Sequence, residues 1–288
     1  MDPTTIAERI WPGRPLQVEE LGGGITNRNF KVTVDGEAFV LRLGGKDTEL
    51  LGIDREVEHG ASVVAAEAGV GPEVVAFVGE GWLVTRFIEG RPVPPEEMRS
   101  ERLEEAAATL RLIHEGGHVP GHFDVFRVVE AYRDTAAERG VAIPPAYDEA
   151  KALADTIESA RGEQPAVPCH NDLLNANFIA ADGEIRIVDW EYAGMGDRFF
   201  DLANFSVNHG LGAVENEAFL TAYFGAARPD DLAALERMRF MSDFREAMWG
   251  VVQQGISALD FDFAAYADEH FERLARTAAE PGFRAVLG

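Results

Sequence analysis

The chain has a single cysteine, three lysines and no run of about 18 or more apolar residues. Each scarcity excludes something. Cys169 alone cannot close an internal disulfide, so a reducing compartment, the cytoplasm, is expected. Without a long apolar run, no membrane span is expected. The opening residues Met1-Asp2-Pro3-Thr4-Thr5 lack the basic stretch and apolar core of a secretory signal. Lys31, Lys46 and Lys151 are the only lysines among 26 basic residues, against 50 acidic ones, for a formal net charge of −24. Such a field repels nucleic-acid phosphates. It also sets a condition on any nucleotide site: arginines, backbone N–H groups or metal ions must hold the phosphates locally. A P-loop is missing, because no Gly-Lys-Ser/Thr follows a glycine-rich stretch. His59, His118, His122, His209 and His270 show no zinc-ligand spacing.

The 288 residues, 46% hydrophobic, suffice for one large domain or two compact lobes. The first third reads as β-rich. Leu16–Leu21 is a strand candidate, and Phe30–Val34 and Ala38–Leu43 are two more, joined by the hairpin signal Asp35-Gly36. Asp54 is placed to cap a helix that runs to about Ala68 and stops at Gly69. Val74–Val78 and Trp82–Thr85 follow as strands. The Gly/Pro-rich break at Glu89–Pro95 divides a unit of residues 1–88 from one of residues 89–288. Beyond it, Glu96–His114, Val125–Arg139 and Ala146–Arg161 read as amphipathic helices, and Phe178–Ala180 and Glu184–Val188 as a hairpin around Asp182-Gly183. Helices resume at Phe199. The longest, Asp230–Leu259, carries an apolar stripe from Leu232 through Met241 to Ile256.

Chemistry concentrates in two segments. His170-Asn171-Asp172-Leu173-Leu174-Asn175-Ala176-Asn177 fits H-x-D-x-x-x-x-N. Phosphoryl transfer needs a carboxylate to take the attacking hydroxyl's proton and a nearby amide oxygen for a metal. The bland reading is a polar turn capped by Asn and Asp. The second segment tips the balance: Ile185–Val188 is an alternating strand that ends in Asp189-Trp190-Glu191, so it delivers a carboxylate to its C-terminal edge. A strand-terminating Asp is common, but seldom at this distance after H-x-D-x-x-x-x-N.

Val167–Phe205, with His-Asn-Asp-Leu and Asp189-Trp190-Glu191-Tyr192, resembles the catalytic core of the choline/ethanolamine kinase branch of the aminoglycoside phosphotransferase-like kinases. The resemblance implies a bilobal α+β, protein-kinase-like fold: a small β-rich nucleotide-binding lobe and a large, mainly helical lobe for catalysis and acceptor binding. It implies ATP and Mg²⁺ as cofactors, Asp172 as the base, and Asn177 and Asp189 as metal ligands. His170 orients the loop, and Asp201 braces it. Glu191 takes the substrate ammonium or supports the site from behind. The loop Gly22-Gly23-Gly24-Ile25-Thr26-Asn27 covers the phosphates through its backbone; a turn is its plainer reading. Arg42 stands where protein kinases place a lysine, and a guanidinium grips phosphate oxygens well. Its helix partner is Glu58, with Glu56 in competition. Arg86, Phe87 and Ile88 contact adenine through their backbones.

For the acceptor, the resemblance places Trp249 and Tyr266 in an aromatic cage for a cation; their plainer reading is core packing. The family's further aromatics are replaced by Glu246 and Asp197. Two acids for two rings favour charge pairing with a primary amine such as ethanolamine over choline. The expected partner is a small, cationic alcohol. A kinase for thiamine, an aminoglycoside, methylthioribose or another sugar stays open, as does a non-catalytic, nucleotide-binding pseudokinase. His114 and Cys169 are read as core residues.

Overall fold

The structure, a computed structural model, describes residues 2–22, 27–79 and 81–287. It opens with a helix absent from the sequence reading, α1 (Pro3–Ile10), capped by Asp2, whose carboxylate accepts from the Thr5 N–H. A five-stranded sheet follows, built from β1 (Leu16–Leu21), β2 (Asn27–Val34), β3 (Glu37–Gly44), β4 (Val74–Val78) and β5 (Trp82–Arg86) in the order β1-β2-β3-β5-β4. Asp35 and Gly36 both have positive φ, 51° and 86°, as the tight β2–β3 turn requires. Alternation buries Phe30, Val32 and Val34 on one face, where they pack in one core with Ile6 and Ala7 of the first helix and Trp11 just beyond it. This small core has its own residues, ending with Phe39, Leu41, Trp82 and Val84.

Helix α2 (Arg55–Glu67) belongs elsewhere. Asp54 caps it, but its buried Ala61 and Ala65 pack in the large core with the helices that follow. Val70, just beyond, accepts from the Ile187 N–H of the catalytic hairpin.

After the short β6 (Arg91–Pro92), the expected single helix over 96–114 is two: α3 (Pro95–Glu101) and α4 (Leu103–His114). Arg102 breaks them with φ −122° and ψ 10°. Its guanidinium, bonded to Glu97 and Glu105 at 2.8 Å each, pins the corner. Then come α5 (Val125–Glu138), α6 (Ala146–Arg161), β7 (Val167–Cys169), the hairpin β8 (Phe178–Ala181) and β9 (Glu184–Ile187), and β10 (Gly194–Gly196), which pairs with β7. The chain ends in α7 (Arg198–Asn208), α8 (Ala213–Phe224), α9 (Pro229–Ile256), α10 (Phe263–Ala279) and α11 (Pro281–Val286).

α9 departs from the amphipathic expectation. It is buried on every side from Phe240 to Gln253, including Ser242, Asp243, Arg245, Glu246 and Gln253. It passes through the middle of the helical lobe, against α5, α7 and α10. A helix buried all round yet carrying charges points to a site, because each buried charge needs a partner. Among the described residues, no helix is long and apolar enough to cross a membrane.

Candidate active site

The catalytic loop is held by its main chain. Asp201 of α7 accepts from the N–H groups of His170 and Asn171, both at 2.7 Å, and from His114 Nε2 at 3.1 Å. Asn204 Oδ1, one turn later, accepts from the Leu173 N–H at 2.6 Å. His170 is fully buried; its Nε2 donates to the Val188 carbonyl at 3.0 Å, and its Nδ1 accepts from the Asp172 N–H at 3.1 Å. Burial lowers the His170 pKa, so the ring stays neutral and serves as a spacer between loop and strand. Asn171 and Asp189 both sit in the left-handed region, at φ 65° and 70°, a strained conformation that Asn and Asp tolerate best.

Around this loop two groups of side chains form. On the nucleotide side, a cleft of about 440 Å³ lies between the sheet and the hairpin β8–β9. Gly22, Arg42, Glu58, Arg86, Phe87, Ile88, Asn177 and Asp189 all line it. Gly23 and Gly24 lie outside the described residues. Arg42 Nη1 donates to Glu58 Oε1 at 2.7 Å and to Asp189 Oδ1 at 2.6 Å, which settles its helix partner as Glu58. Burial opposes the charge on Arg42, but Asp189, Glu58 and Glu191 outweigh it and raise its pKa further. The Arg86 guanidinium turns outward to Glu37 and Glu73, leaving only its backbone to the cleft. The Arg86 and Phe87 N–H groups are taken by the carbonyls of Glu73 and Ala38. Among the described residues no protein carbonyl takes the Ile88 N–H.

The residues present fit a divalent cation. Asn177 spends its Nδ2 on the Asp172 carbonyl at 2.8 Å and Asp189 spends Oδ1 on Arg42. Among the described residues, Asn177 Oδ1 and Asp189 Oδ2 take no protein hydrogen bond, and both residues face the cleft. Two hard oxygens, one anionic, suit Mg²⁺ on nucleotide phosphates.

A second group of side chains gathers around Arg245 of α9. Arg245 Nη1 lies 3.3 Å from Asp172 Oδ1 and also donates to Glu246 Oε1. Glu246 Oε2 accepts from the Tyr266 hydroxyl at 2.7 Å, and the Tyr192 hydroxyl accepts from Trp249 Nε1 at 3.1 Å. The Trp249 and Tyr266 rings meet edge-on, centroids 5.5 Å apart. Burial pushes the Asp172 carboxyl up to about 7; Arg245 pulls it back, while Glu246, Asp189 and Glu191 add to the rise. Glu246 is held below the usual carboxylate range: burial opposes its charge, but Arg245 and the Tyr266 hydroxyl prevail.

Three expected positions fall differently. Asp197 is no part of this second group: it caps α7 through the Phe199 N–H and is paired with Arg161, whose Nε donates to it at 3.0 Å. It lines a separate cavity with Glu158 and Phe126, because β10 carries it to the far end of β7 from the loop. Glu191 is drawn toward the N-terminal lobe: Asn27 Nδ2 donates to it at 2.7 Å and Arg55 Nη1 lies 3.3 Å away. Asn27, expected at the phosphates, is buried in this same network, where it also accepts from Arg55 Nη2.

Arg55, Tyr192 and Arg245 were missed. Arg55 joins Glu58, Glu191, Asn27 and Thr48. Its signal was slight, an arginine three residues before Glu58, a glutamate already in contention. Arg245 had a clearer one: adjacent opposite charges, Arg245-Glu246, inside an apolar helix.

Residues 17–241 match the model of the phosphotransferase enzyme family, APH. The crystal structure of a choline/ethanolamine kinase family protein from Mesorhizobium loti is 32% identical, with a TM-score of 0.84 over 99% of this chain and 97% of that one. The chain belongs to the choline/ethanolamine kinase family. It is a phosphotransferase with an alcohol acceptor and a protein-kinase-like fold. Human ethanolamine kinase 2 is 26% identical over 91% of this chain and 76% of its own length. The choline kinase LicA of Streptococcus pneumoniae, 23% identical, shares the fold with a TM-score of 0.80 over 96% of this chain and 98% of that one. In this choline/ethanolamine kinase family member, Arg245 links the Asp172 carboxylate to Glu246, while Asn177 of the cleft bonds the Asp172 carbonyl.

Proposed function

We propose that the chain transfers the γ-phosphoryl group of Mg-ATP to the hydroxyl of a small amino alcohol of the ethanolamine or choline type, in the cytoplasm. The observation that carries this reading is the position of Asp172. Its carboxylate is bonded by Arg245, which also holds Glu246 beside Tyr266, and its carbonyl is bonded by Asn177, which lines the cleft with Asp189. Glu246, Tyr266, Trp249 and Tyr192 form a wall that offers an amine a carboxylate and ring faces together. With Asp197 engaged elsewhere, Glu246 is the acid that pairs with the amine.

Asp172 Oδ accepts the proton as the substrate oxygen bonds to the γ-phosphorus. The bond from that phosphorus to the β–γ bridging oxygen breaks, and ADP leaves. Arg42, fixed by Glu58, steadies the phosphates, and Ile88 donates its N–H to the base. Asn177 and Asp189 hold the Mg²⁺, which supplies charge neutralisation on the phosphates. Transfer is direct: the one histidine in the loop, His170, has both ring nitrogens engaged. Residues 1–88 form the nucleotide-binding lobe in this reading, and 89–288 the catalytic and acceptor lobe.

The test is ADP release by the native protein with Mg-ATP across amino alcohols, thiamine, aminoglycosides and sugars, beside Asp172→Ala. Turnover with ethanolamine or choline that disappears in the variant is expected. Turnover only with thiamine or a sugar would remove the amino alcohol and keep the kinase.

A further inference from the structure

Arg245 is 2% exposed, and one nitrogen, Nη1, makes both of its hydrogen bonds, to Asp172 and Glu246. Among the described residues, its Nε and Nη2 have no partner. Those two N–H groups lie along one edge of the guanidinium and form the fork that matches a planar carboxylate bidentately. One guanidinium face is already covered, with Cζ 4.5 Å from the centre of the Tyr192 ring. The arrangement is costly unless something completes it, since a buried charged donor without an acceptor loses its hydration for nothing. The fork stands on the acceptor side of Asp172: neither Arg245 nor Tyr192 lines the nucleotide cleft. An ammonium alone cannot complete it, because the fork only donates and a cation has nothing with which to accept.

We propose that the acceptor is a zwitterion, a hydroxyl-bearing α-amino acid, whose carboxylate is gripped by the Arg245 fork while its ammonium is held at Glu246 and its hydroxyl faces Asp172. This rests on the amino-alcohol reading above and narrows it. The transfer is unchanged: the hydroxyl proton passes to Asp172, the O–P bond forms, and ADP leaves. Adjacent residues of opposite charge on one helix suit adjacent charges on one small molecule, and Tyr266 fixes the second oxygen of Glu246 so that the pair keeps its geometry.

The experiment compares matched acceptors that differ only by a carboxylate, ethanolamine against serine and 3-amino-1-propanol against homoserine, with the full chain and Mg-ATP. The carboxylate-bearing member of at least one pair should be favoured by roughly 10- to 100-fold in kcat/KM. Arg245→Lys, which keeps a charge and loses the fork, should cut that preference by about tenfold. Should this variant not fold, the native comparison decides alone. Equal or better turnover of the decarboxylated members overturns the carboxylate while the amino-alcohol reading stands. No turnover of either pair, with a sugar or thiamine accepted instead, sinks both. If Arg245→Lys slows both members alike and leaves the preference intact, the fork serves the transferred phosphoryl group, and the proposal fails.

Discussion

The catalytic loop and the α9 wall face each other across Asp172 and are completed differently. In the loop, Asp201, Asn204 and Val188 satisfy the N–H groups of His170, Asn171 and Leu173 and the His170 ring, with Asn171 Oδ1 the atom left over. In the wall, Arg245 and Glu246 satisfy one another through a single nitrogen, and half the guanidinium waits. The loop reaches its geometry from protein groups alone, as chemistry common to every acceptor demands. The wall holds its charges in a form that a ligand finishes, and there selectivity between acceptors can arise.

Several variants would break or sharpen that contrast. Asp172→Asn keeps the loop's shape and removes the base, so kcat should fall by about 10²- to 10⁴-fold with nucleotide affinity little changed. Steady-state rates beside nucleotide titration would show it, and a parallel loss of binding would mean that Asp172 shapes the cleft as well. Asp201→Ala attacks the loop's frame. Two main-chain donors and His114 lose their acceptor, at about 1–3 kcal/mol for each unsatisfied group. Denaturant unfolding should therefore show a loss of about 3 kcal/mol or more, and a smaller loss would place the loop's rigidity elsewhere.

Acid should act through the junction of the two regions. The Asp172 carboxyl is raised to about 7 and must be ionised to accept a proton, so its active form is lost as pH falls through that value. kcat/KM should drop about tenfold for each pH unit below it, and a kcat/KM flat down to pH 5 would show that the carboxyl titrates far lower in the free enzyme. Glu246→Gln removes the wall's anion, and KM for an amine acceptor should rise about tenfold while kcat changes less. An unchanged KM would take Glu246 out of acceptor recognition. The smallest change is Trp249→Phe, which removes the bond to Tyr192 and part of a buried ring; KM should rise a few-fold, and unfolding should show a loss of about 1–2 kcal/mol.

The same contrast explains what could be read in advance. Asp172, Asn177 and Asp189 were legible because one short loop and one hairpin carry them, and hydrogen bonding forces their spacing. Arg42 and Glu58 followed from the resemblance to the kinase family, and helical phase left Glu56 in contention until the structure paired Arg42 with Glu58. Asp197 misled because its place in the motif says nothing of β10, which swings it away to Arg161. Arg245 was hidden by a question of direction. Whether a charge on a long helix meets water or the interior depends on what packs on every side, and α5, α7 and α10 come from separate stretches of the chain. The first helix escaped for a similar reason: Ile6, Ala7 and Trp11 acquire meaning only under the sheet they cover.

The backbone at Asn171 and Asp189 also bears on how this protein can change over time. At φ 65° and 70°, a branched or bulky residue at either place would strain the loop before any question of catalysis arose. Glycine, asparagine and aspartate make up nearly the whole alphabet open to these two positions. A lineage that gave up phosphoryl transfer would be free to lose the charge at Asp189 but not the shape. Its commonest scar would be an asparagine or glycine there, in a protein that still folds.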